Sequence, residues 1–263
     1  MNNFRVSSYE LQAQRHIYPL YMADGRGGYE FSSTMTFLRR RNESFCVFAA
    51  HALDPRSDDI DKIGVFSTDG EFKAISEYSI AHKICRKRDL VACRTSAPFE
   101  YKNYFDLDAV KSSSEWVEGG FGWIGFPKKK AVEKIHCTKS NKEQLQKYLV
   151  DGEQGSKKWT NAEFLLLGAE MQSETDQIIT GVFENKDVNY THAGFKSNGY
   201  SLRGMSGGAL FRGPNKINTD PPCLNDYFDF IGIGLEYDNR EVVRGASRAA
   251  VKELLDEVLS WPV

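Results

Sequence analysis

The sequence predicts a mainly β protein, either a barrel or a sandwich, that ends in one α-helix. Short runs of apolar, β-branched and aromatic residues recur along the chain, and turn residues separate them. Closely spaced strand signals of this kind are typical of antiparallel barrels and sandwiches rather than of βαβ units. At 263 residues the chain is long enough to bury one large core or a pair of barrels.

The N-terminal half carries seven strand signals. Residues 1–15 are polar and are expected to be loosely attached. Glycines near residue 25 and three arginines followed by Asn42 indicate the first two turns. Residues 95–118, rich in Ser, Asp, Tyr and Lys, are interpreted as a linker to a second set of strands. The runs predicted as strands are 17–22, 29–39, 45–50, 62–66, 72–75, 82–84 and 89–93.

The C-terminal half combines further strands with the one long helix. Residues 128–130 are predicted to be a solvated loop, and 140–150 a short surface helix. Ser247 is placed to cap a helix over Arg248–Leu259, in which apolar residues recur at helical spacing. The strand signals of this half are the run that ends at Pro127, 164–167, 177–183, 209–211 and 228–235.

Composition excludes several classes of function. A net charge of −2 predicts no nucleic-acid partner, and no apolar run reaches the roughly 18 residues of a membrane span. An odd number of cysteines without a Cys-x-x-Cys pair gives little support to a metal or redox site, so no cofactor and no metal are expected. Reduced thiols and the lack of an apolar signal segment predict a cytoplasmic protein. The cysteines are 46, 85, 93, 137 and 223.

The chemistry is predicted from a serine that lies between glycines, in Gly-Met-Ser-Gly-Gly at 204–208. Glycines permit a backbone that exposes a hydroxyl and turns neighbouring N–H groups towards one point. Taken alone, the pentapeptide fits a tight turn between strands equally well. Upstream, His51 ends an apolar run and Asp89 begins another, so the order is His, Asp, Ser.

This order discriminates between folds that host a Ser-His-Asp triad. An α/β-hydrolase needs its histidine after the serine, but all five histidines, at 16, 51, 82, 136 and 192, precede Ser206. A subtilisin needs its aspartate before the histidine, and only Asp24 precedes His51. A helix should also follow a subtilisin serine, whereas glycines and a short strand signal follow Ser206.

Five motifs in one order resemble the chymotrypsin/trypsin-like serine peptidases, over nearly the whole chain. They are Ala-Ala-His at 49–51, Asp-Leu-Val at 89–91, the Gly-x-Pro strand end within 121–127, Gly-x-Ser-Gly-Gly at 204–208 and the Gly-rich strand 230–234. The closest in character are bacterial intracellular members. The resemblance implies two six-stranded antiparallel β-barrels, at about 16–110 and 115–240, followed by a C-terminal helix at 246–260.

The resemblance also implies a role for each site residue. His51 would be the general base, Asp89 the carboxylate that orients it and Ser206 the nucleophile, with His82 a much weaker alternative base. The N–H groups of Gly204 and Ser206 would form the oxyanion hole. The substrate-binding positions would be Tyr200, Arg203, Gly232, Ile233 and Gly234.

Two departures from the family bear on specificity and control. Tyr200, at the pocket floor, argues against Arg or Lys specificity, although Glu236 and Asp238 could reverse this. Met205 replaces the aspartate that in trypsin pairs with a newly cut N-terminus, so that form of activation is not expected. Apolar packing of Met205, or a regulatory protein that orders the loop, would have to replace it.

Three functions remain open at this stage. The first is a serine endopeptidase acting on protein or peptide substrates through an acyl-enzyme. The second is an inactive peptidase fold that serves as a protein-binding module. The third is an acyl esterase that uses the same site. No nucleic-acid or membrane partner is expected for any of them.

Overall fold

In a computed structural model of the chain, the two halves form separate antiparallel sheets that share a core. No helix in the described part of the chain is long and apolar enough to cross a membrane. The structure describes residues 4–55, 57–67, 70–100, 102–109, 115–131, 134–136, 149–151, 157–159, 161–184, 189–192, 195–198, 201–215, 227–238 and 241–261.

The N-terminal half begins with a helix and continues as one large sheet. Helix α1 spans Phe4–Gln14, and a short helix, α2, spans Ile75–Tyr78. The strands are β1 (Ile17–Ala23), β2 (Gly28–Arg40), β3 (Glu43–Ala49), β4 (Ile63–Phe66), β5 (Phe72–Ala74), β6 (Ser79–Cys85), β7 (Leu90–Thr95) and β8 (Phe105–Asp106). Along the sheet their order is β5-β4-β1-β2-β3-β7-β6, and β8 pairs in parallel with β2.

The C-terminal half contains a closed six-stranded barrel. Its hydrogen-bonded order is β13-β14-β19-β18-β17-β9, and a final helix, α3, spans Arg248–Leu259. The barrel strands are β9 (Gly120–Gly125), β13 (Leu165–Glu174), β14 (Ile178–Val182), β17 (Ala209–Arg212), β18 (Asp229–Tyr237) and β19 (Val242–Ser247). The others are β10 (Lys134–His136), which joins β2, and the pairs β11 (Leu149–Asp151) with β12 (Lys157–Trp159) and β15 (Asn189–His192) with β16 (Phe195–Asn198).

Strand β2 joins the two halves because its alternating side chains face two different cores. Met35 and Phe37 belong to the core of the N-terminal sheet. Leu38, on the opposite face, belongs to a second core that includes Phe126 and Ala209 of the C-terminal half. Thr34 and Thr36 share that face and are fully buried. A strand shows side chains alternately on its two faces, so one strand supplies both layers.

The structure confirms the predicted fold: mostly β, with a closed six-stranded barrel, a half-barrel sheet and a C-terminal helix. The Ser247 hydroxyl caps that helix by accepting a hydrogen bond from the N–H of Ala250. The N-terminal half differs in detail, since its eight strands, joined by β10 from the C-terminal half, form a nine-stranded sheet that does not close among the described strands. The sequence boundaries of the two halves stay a prediction.

One local prediction is wrong. Residues 1–15 are predicted to be loosely attached, but in the described part of this segment helix α1 buries Ala13 completely, and the Tyr9 ring packs 4.9 Å from that of Phe228. A polar side chain also attaches this helix, since Gln12 accepts a hydrogen bond from the Asn103 side chain at 3.0 Å. Residues 128–130 form a 3₁₀ turn in which no lysine is buried, in agreement with the predicted solvated loop, and its first lysine pairs with Glu30 at 3.0 Å. Of the helix predicted at 140–150, residues 140–148 lie outside the described residues, and the last two belong to strand β11.

Candidate active site

His51 sits where strand β3 ends at the mouth of a cleft. The strand is fully buried up to Ala49, and a 3₁₀ turn over Ala50–Ala52 then carries the imidazole to the surface. About half of the His51 side chain is exposed. The buried strand before His51 holds its backbone in place, and the exposed turn leaves its imidazole open to the cleft.

Asp89 faces His51 from the turn that precedes strand β7. Its Oδ2 lies 2.5 Å from His51 Nδ1, and its Oδ1 accepts a hydrogen bond from the His51 backbone N–H at 2.8 Å. Asp89 has a positive φ of 53°, a conformation that aspartate tolerates better than most residues. The Asp89 carbonyl also accepts the N–H of Ala50 at 3.0 Å. Three hydrogen bonds therefore fix the two residues relative to each other.

This pairing changes the basicity of His51. The hydrogen bond to Asp89 raises the pKa of His51 above its ordinary value of 6.5, and partial burial opposes the shift. The negative charges of Asp89 and Glu236 raise it further. Because Nδ1 is held by Asp89, the other ring nitrogen is left to accept a proton. The arrangement suits an imidazole that acts as a base near neutral pH.

Ser206 lies on a loop whose carbonyl groups are all engaged. The loop needs glycine twice, at Gly204 with φ of 98° and at Gly207 with φ of 86°. Every carbonyl oxygen of residues 202–208 accepts a hydrogen bond. In chain order their donors are the N–H of Met205, the N–H of Lys128, the Thr34 hydroxyl, the N–H of Gly208, the N–H of Thr34, the Thr36 hydroxyl and the N–H of Gly234.

The N–H groups of Gly204 and Ser206, in the same loop, remain available. Among the described residues, the N–H groups of Gly204 and Ser206 have no hydrogen-bond acceptor. They belong to the peptide units whose carbonyls, on Arg203 and Met205, bind Lys128 and Gly208 at 2.7 and 2.9 Å. A planar peptide unit directs its N–H opposite to its C=O. Fixing the two carbonyls therefore leaves the two N–H groups as free donors.

The Ser206 hydroxyl donates to the carbonyl of Leu235 at 2.6 Å. Ser206 and His51 both line two cavities, but no hydrogen bond joins their side chains in this structure. Catalytic hydrogen bonds are often absent or long without substrate, and the hydroxyl can turn about one side-chain bond. Engaging His51 would require the Ser206 hydroxyl to leave the Leu235 carbonyl.

The two cavities meet at three shared lining residues, His51, Arg203 and Ser206, and their other lining residues differ. The smaller, of about 320 Å³, is lined also by Phe31 and Lys128. The larger, of about 770 Å³, is lined also by Asp89, Trp123, Ser201, Leu202, Leu235, Glu236, Tyr237 and Asp238. Together they form a cleft that opens at His51 and Ser206.

The structure brings only some of the predicted substrate-binding residues to this cleft. Arg203 lines both cavities. Gly232 pairs with Leu210 and Ser247 inside the barrel, and Ile233 is fully buried in the core shared by the two halves. Gly234 holds the serine loop through its backbone and lines neither cavity. The strand meets the cleft later than predicted, at 235–238. Tyr200 lies outside the described residues.

Competing candidates for the triad lie elsewhere. Asp108 forms an ion pair with Arg40, and Asp106 accepts the N–H groups of residues 108 and 109. His82 lines a separate small pocket beside strand β6. Neither aspartate lines the cleft. Among Asp89, Asp106 and Asp108, Asp89 alone contacts His51.

Sequence reasoning missed Thr34 and Trp123. Thr34 is fully buried and contacts the serine loop from 170 residues away along the chain. Its only sequence signal is polar residues at alternate positions of an otherwise apolar strand. Trp123 lines the larger cavity, and its indole N–H is buried without an acceptor among the described residues.

Comparisons with known proteins show the fold. No protein-family model and no curated protein sequence matches the chain. Among solved structures, the active form of the Rv3671c protease from M. tuberculosis aligns over 100% of this chain and 89% of that chain. The TM-score is 0.51 and the sequence identity 10%.

A second solved structure comes from work on the intrinsically disordered Sesbania mosaic virus VPg protein. It aligns over 91% of this chain and 95% of that chain, with 11% identity and a TM-score of 0.44, which is too low to indicate a shared fold. The likeness to the mycobacterial protease, together with the closed barrel, the half-barrel sheet and the C-terminal helix, shows that the chain has a chymotrypsin-like two-barrel fold.

Proposed function

We propose that the protein is a serine endopeptidase that hydrolyses peptide bonds through an acyl-enzyme. The observation that carries the proposal is the pair of contacts between Asp89 and His51, at 2.5 and 2.8 Å, beside a serine whose loop leaves two N–H donors free. Asp89 orients His51, His51 acts as the base, Ser206 is the nucleophile, and Gly204 and Ser206 supply the oxyanion hole.

The reaction proceeds in two steps, acylation of Ser206 and hydrolysis of the acyl-enzyme, and His51 transfers the proton in each step. Ser206 Oγ attacks the substrate carbonyl carbon while its proton passes to the free ring nitrogen of His51. The oxyanion accepts hydrogen bonds from the Gly204 and Ser206 N–H groups. His51 then gives the proton to the departing amine as the C–N bond breaks. Water attacks the acyl-enzyme by the same route, which releases the acid and restores Ser206.

A peptide substrate is favoured over a small ester by the shape of the cleft. Two cavities, of about 320 and 770 Å³, both open at Ser206, so the acyl part and the leaving-group part of a long chain could each occupy one of them. A small ester would use one side only. The cytoplasmic location is also part of this proposal, since Cys46 and Cys93 face each other across paired strands as free thiols.

The test combines labelling with peptide hydrolysis. A fluorophosphonate should label the wild type by displacement of fluoride from phosphorus by Ser206 Oγ. Ser206→Ala and His51→Ala should each lower peptide hydrolysis at least about a thousandfold, without an additive loss in the double variant. Absence of labelling of folded wild-type protein would favour a binding module, and turnover of esters but not peptides would favour an esterase.

The carboxylate assignment has its own control. Asp89→Asn should fold and lose roughly three to four orders of magnitude in kcat, because an amide stabilises the wrong imidazole tautomer. Asp108→Asn removes a carboxylate that binds Arg40 rather than His51 and should keep wild-type kcat. A large loss with Asp108→Asn and none with Asp89→Asn would contradict the assignment.

A further inference from the structure

The loop that carries Ser206 lacks the charged anchor found in trypsin. Met205 occupies the position of the trypsin aspartate and is fully buried in an apolar cluster with Trp123 and Leu202. A thioether cannot accept the strong hydrogen bonds that hold a carboxylate in place. Met205 can fill space beneath the loop, but other groups must set the orientation of its peptide units.

Thr34 makes polar contacts to this loop at two points. Its hydroxyl donates to the Gly204 carbonyl at 3.0 Å, and its backbone N–H donates to the Ser206 carbonyl at 3.0 Å. These are the two residues whose N–H groups would form the oxyanion hole. The Thr34 hydroxyl also accepts the N–H of Phe126 at 2.9 Å. It therefore links strand β2, the loop that follows β9 and the serine loop.

Among the described residues, the Thr34 hydroxyl is the one hydrogen-bond donor to the Gly204 carbonyl. Thr34 has no solvent exposure, so water cannot replace its hydroxyl. Without the hydroxyl, the Phe126 N–H and the Gly204 carbonyl would both be left buried and unpaired, which is strongly unfavourable. The peptide unit between Gly204 and Met205 would then reorient to relieve this cost. That unit lies between the two peptide units that carry the Gly204 and Ser206 N–H groups, so its rotation would move both N–H groups away from the cleft.

We propose that Thr34 is a positioning residue for the oxyanion hole, whose hydroxyl performs through neutral hydrogen bonds what the aspartate ion pair performs in trypsin. Thr34 acts through Gly204 and does not touch the substrate. Because it belongs to the N-terminal sheet and Gly204 to the C-terminal half, the working geometry of the hole depends on contact between the halves. The catalytic part of this inference rests on the proposed function.

The test compares three threonine variants. Thr34→Val keeps the shape and removes the hydroxyl, whereas Thr34→Ser restores a hydroxyl. Thr95→Val is the control, because Thr95 is also buried and donates to the Ser44 carbonyl at 3.2 Å, at the other end of the sheet. Thr34→Val should lower kcat and the rate of fluorophosphonate labelling about tenfold to a hundredfold, with little change in KM. Thr34→Ser should recover most of the rate, and Thr95→Val should match the wild type.

Hydrogen exchange of the peptide spanning residues 202–211 tests the same contact without any activity. Exchange should accelerate in Thr34→Val and stay slow in Thr34→Ser and Thr95→Val. Unchanged exchange in folded Thr34→Val, or an equal loss of labelling in Thr95→Val, would overturn the role of Thr34. If wild-type protein fails to label while Thr34→Val accelerates exchange, the proposed function fails, but the anchoring of the loop by Thr34 stands.

Discussion

Two of the regions in which the N-terminal sheet contacts the C-terminal half are opposite in character. At the serine loop the contact is neutral and buried: the Thr34 and Thr36 hydroxyls, both without solvent exposure, donate to Gly204 and Gly207. At helix α3 the contact is charged and partly exposed. There Arg40 binds Asp256, Arg88 binds Glu253 and Glu257, and Lys83 binds Glu257, at 2.5 to 3.2 Å.

The two contacts differ in role: the first fixes the geometry of the serine loop, and the second attaches helix α3 to the sheet. Buried hydrogen bonds have no substitute from water, so they permit one arrangement of the loop that they hold. Partly exposed ion pairs can exchange partners with water and salt, and each contributes little to stability. Small changes at the serine loop should therefore have large effects, while charge removal at helix α3 should have modest effects that depend on salt and pH.

Gly207→Ala should give the largest effect. A Cβ on Gly207 would lie 2.1 Å from the Thr34 carbonyl oxygen, and the residue has a positive φ. We expect a loss of roughly 3 kcal/mol or more in the free energy of unfolding, measured with urea. Gly168→Ala is the control, since a Cβ there meets nothing within 4 Å. Equal stability of the two variants would show that the serine-loop contact can relax.

Arg40→Gln should give an intermediate effect at helix α3. The Arg40 side chain is largely buried and binds Asp256 at 2.8 Å. The loss in unfolding free energy at pH 7 should be roughly 1 to 2 kcal/mol and should shrink in high salt. The exposed residue Arg26 offers the control, Arg26→Gln, which should leave the unfolding free energy unchanged.

The pH dependence of the Arg40 effect has a definite sign. The hydrogen bond from Arg40 lowers the pKa of Asp256 below its ordinary value of 3.8. A carboxyl whose pKa is lower in the folded state stabilises above its unfolded pKa and loses that contribution as pH falls through the folded value. The difference between wild type and Arg40→Gln should therefore narrow below about pH 4. A constant difference from pH 7 to pH 3 would mean that packing of the Arg40 side chain, not its charge, matters.

Glu236→Gln should have the smallest effect, visible only in the pH profile. The charge of Glu236 helps to raise the pKa of His51, after the larger contributions tied to Asp89. His51 must be neutral to act as a base, so kcat/KM should rise with pH through this pKa, above 6.5. Removal of the Glu236 charge should move the acid limb to lower pH. Glu118→Gln, an exposed carboxylate that lines neither cavity, should leave it in place.

The sequence by itself determined the local features of this protein. Gly204 and Gly207 demanded a positive φ, apolar alternation marked most strands, and Ser247 marked the start of the last helix, because each of these depends on near neighbours in the chain. The order of His51, Asp89 and Ser206 also pointed to the two-barrel fold. The structure then placed His51 and Asp89 in contact, because the end of strand β3 and the start of its antiparallel partner β7 lie side by side.

Only the tertiary structure decided which distant groups meet. Thr34 and Gly204 are 170 residues apart, and their hydrogen bond follows from how two sheets pack rather than from any local pattern. The same packing gave helix α1 an apolar surface to bind, and it decided that residues 235–238, not Gly232 and Ile233, reach the cleft. The conformation of a segment depends mainly on its own residues. The segment against which it packs depends on burial of residues that are distant in the chain, and the neighbouring residues do not reveal that partner.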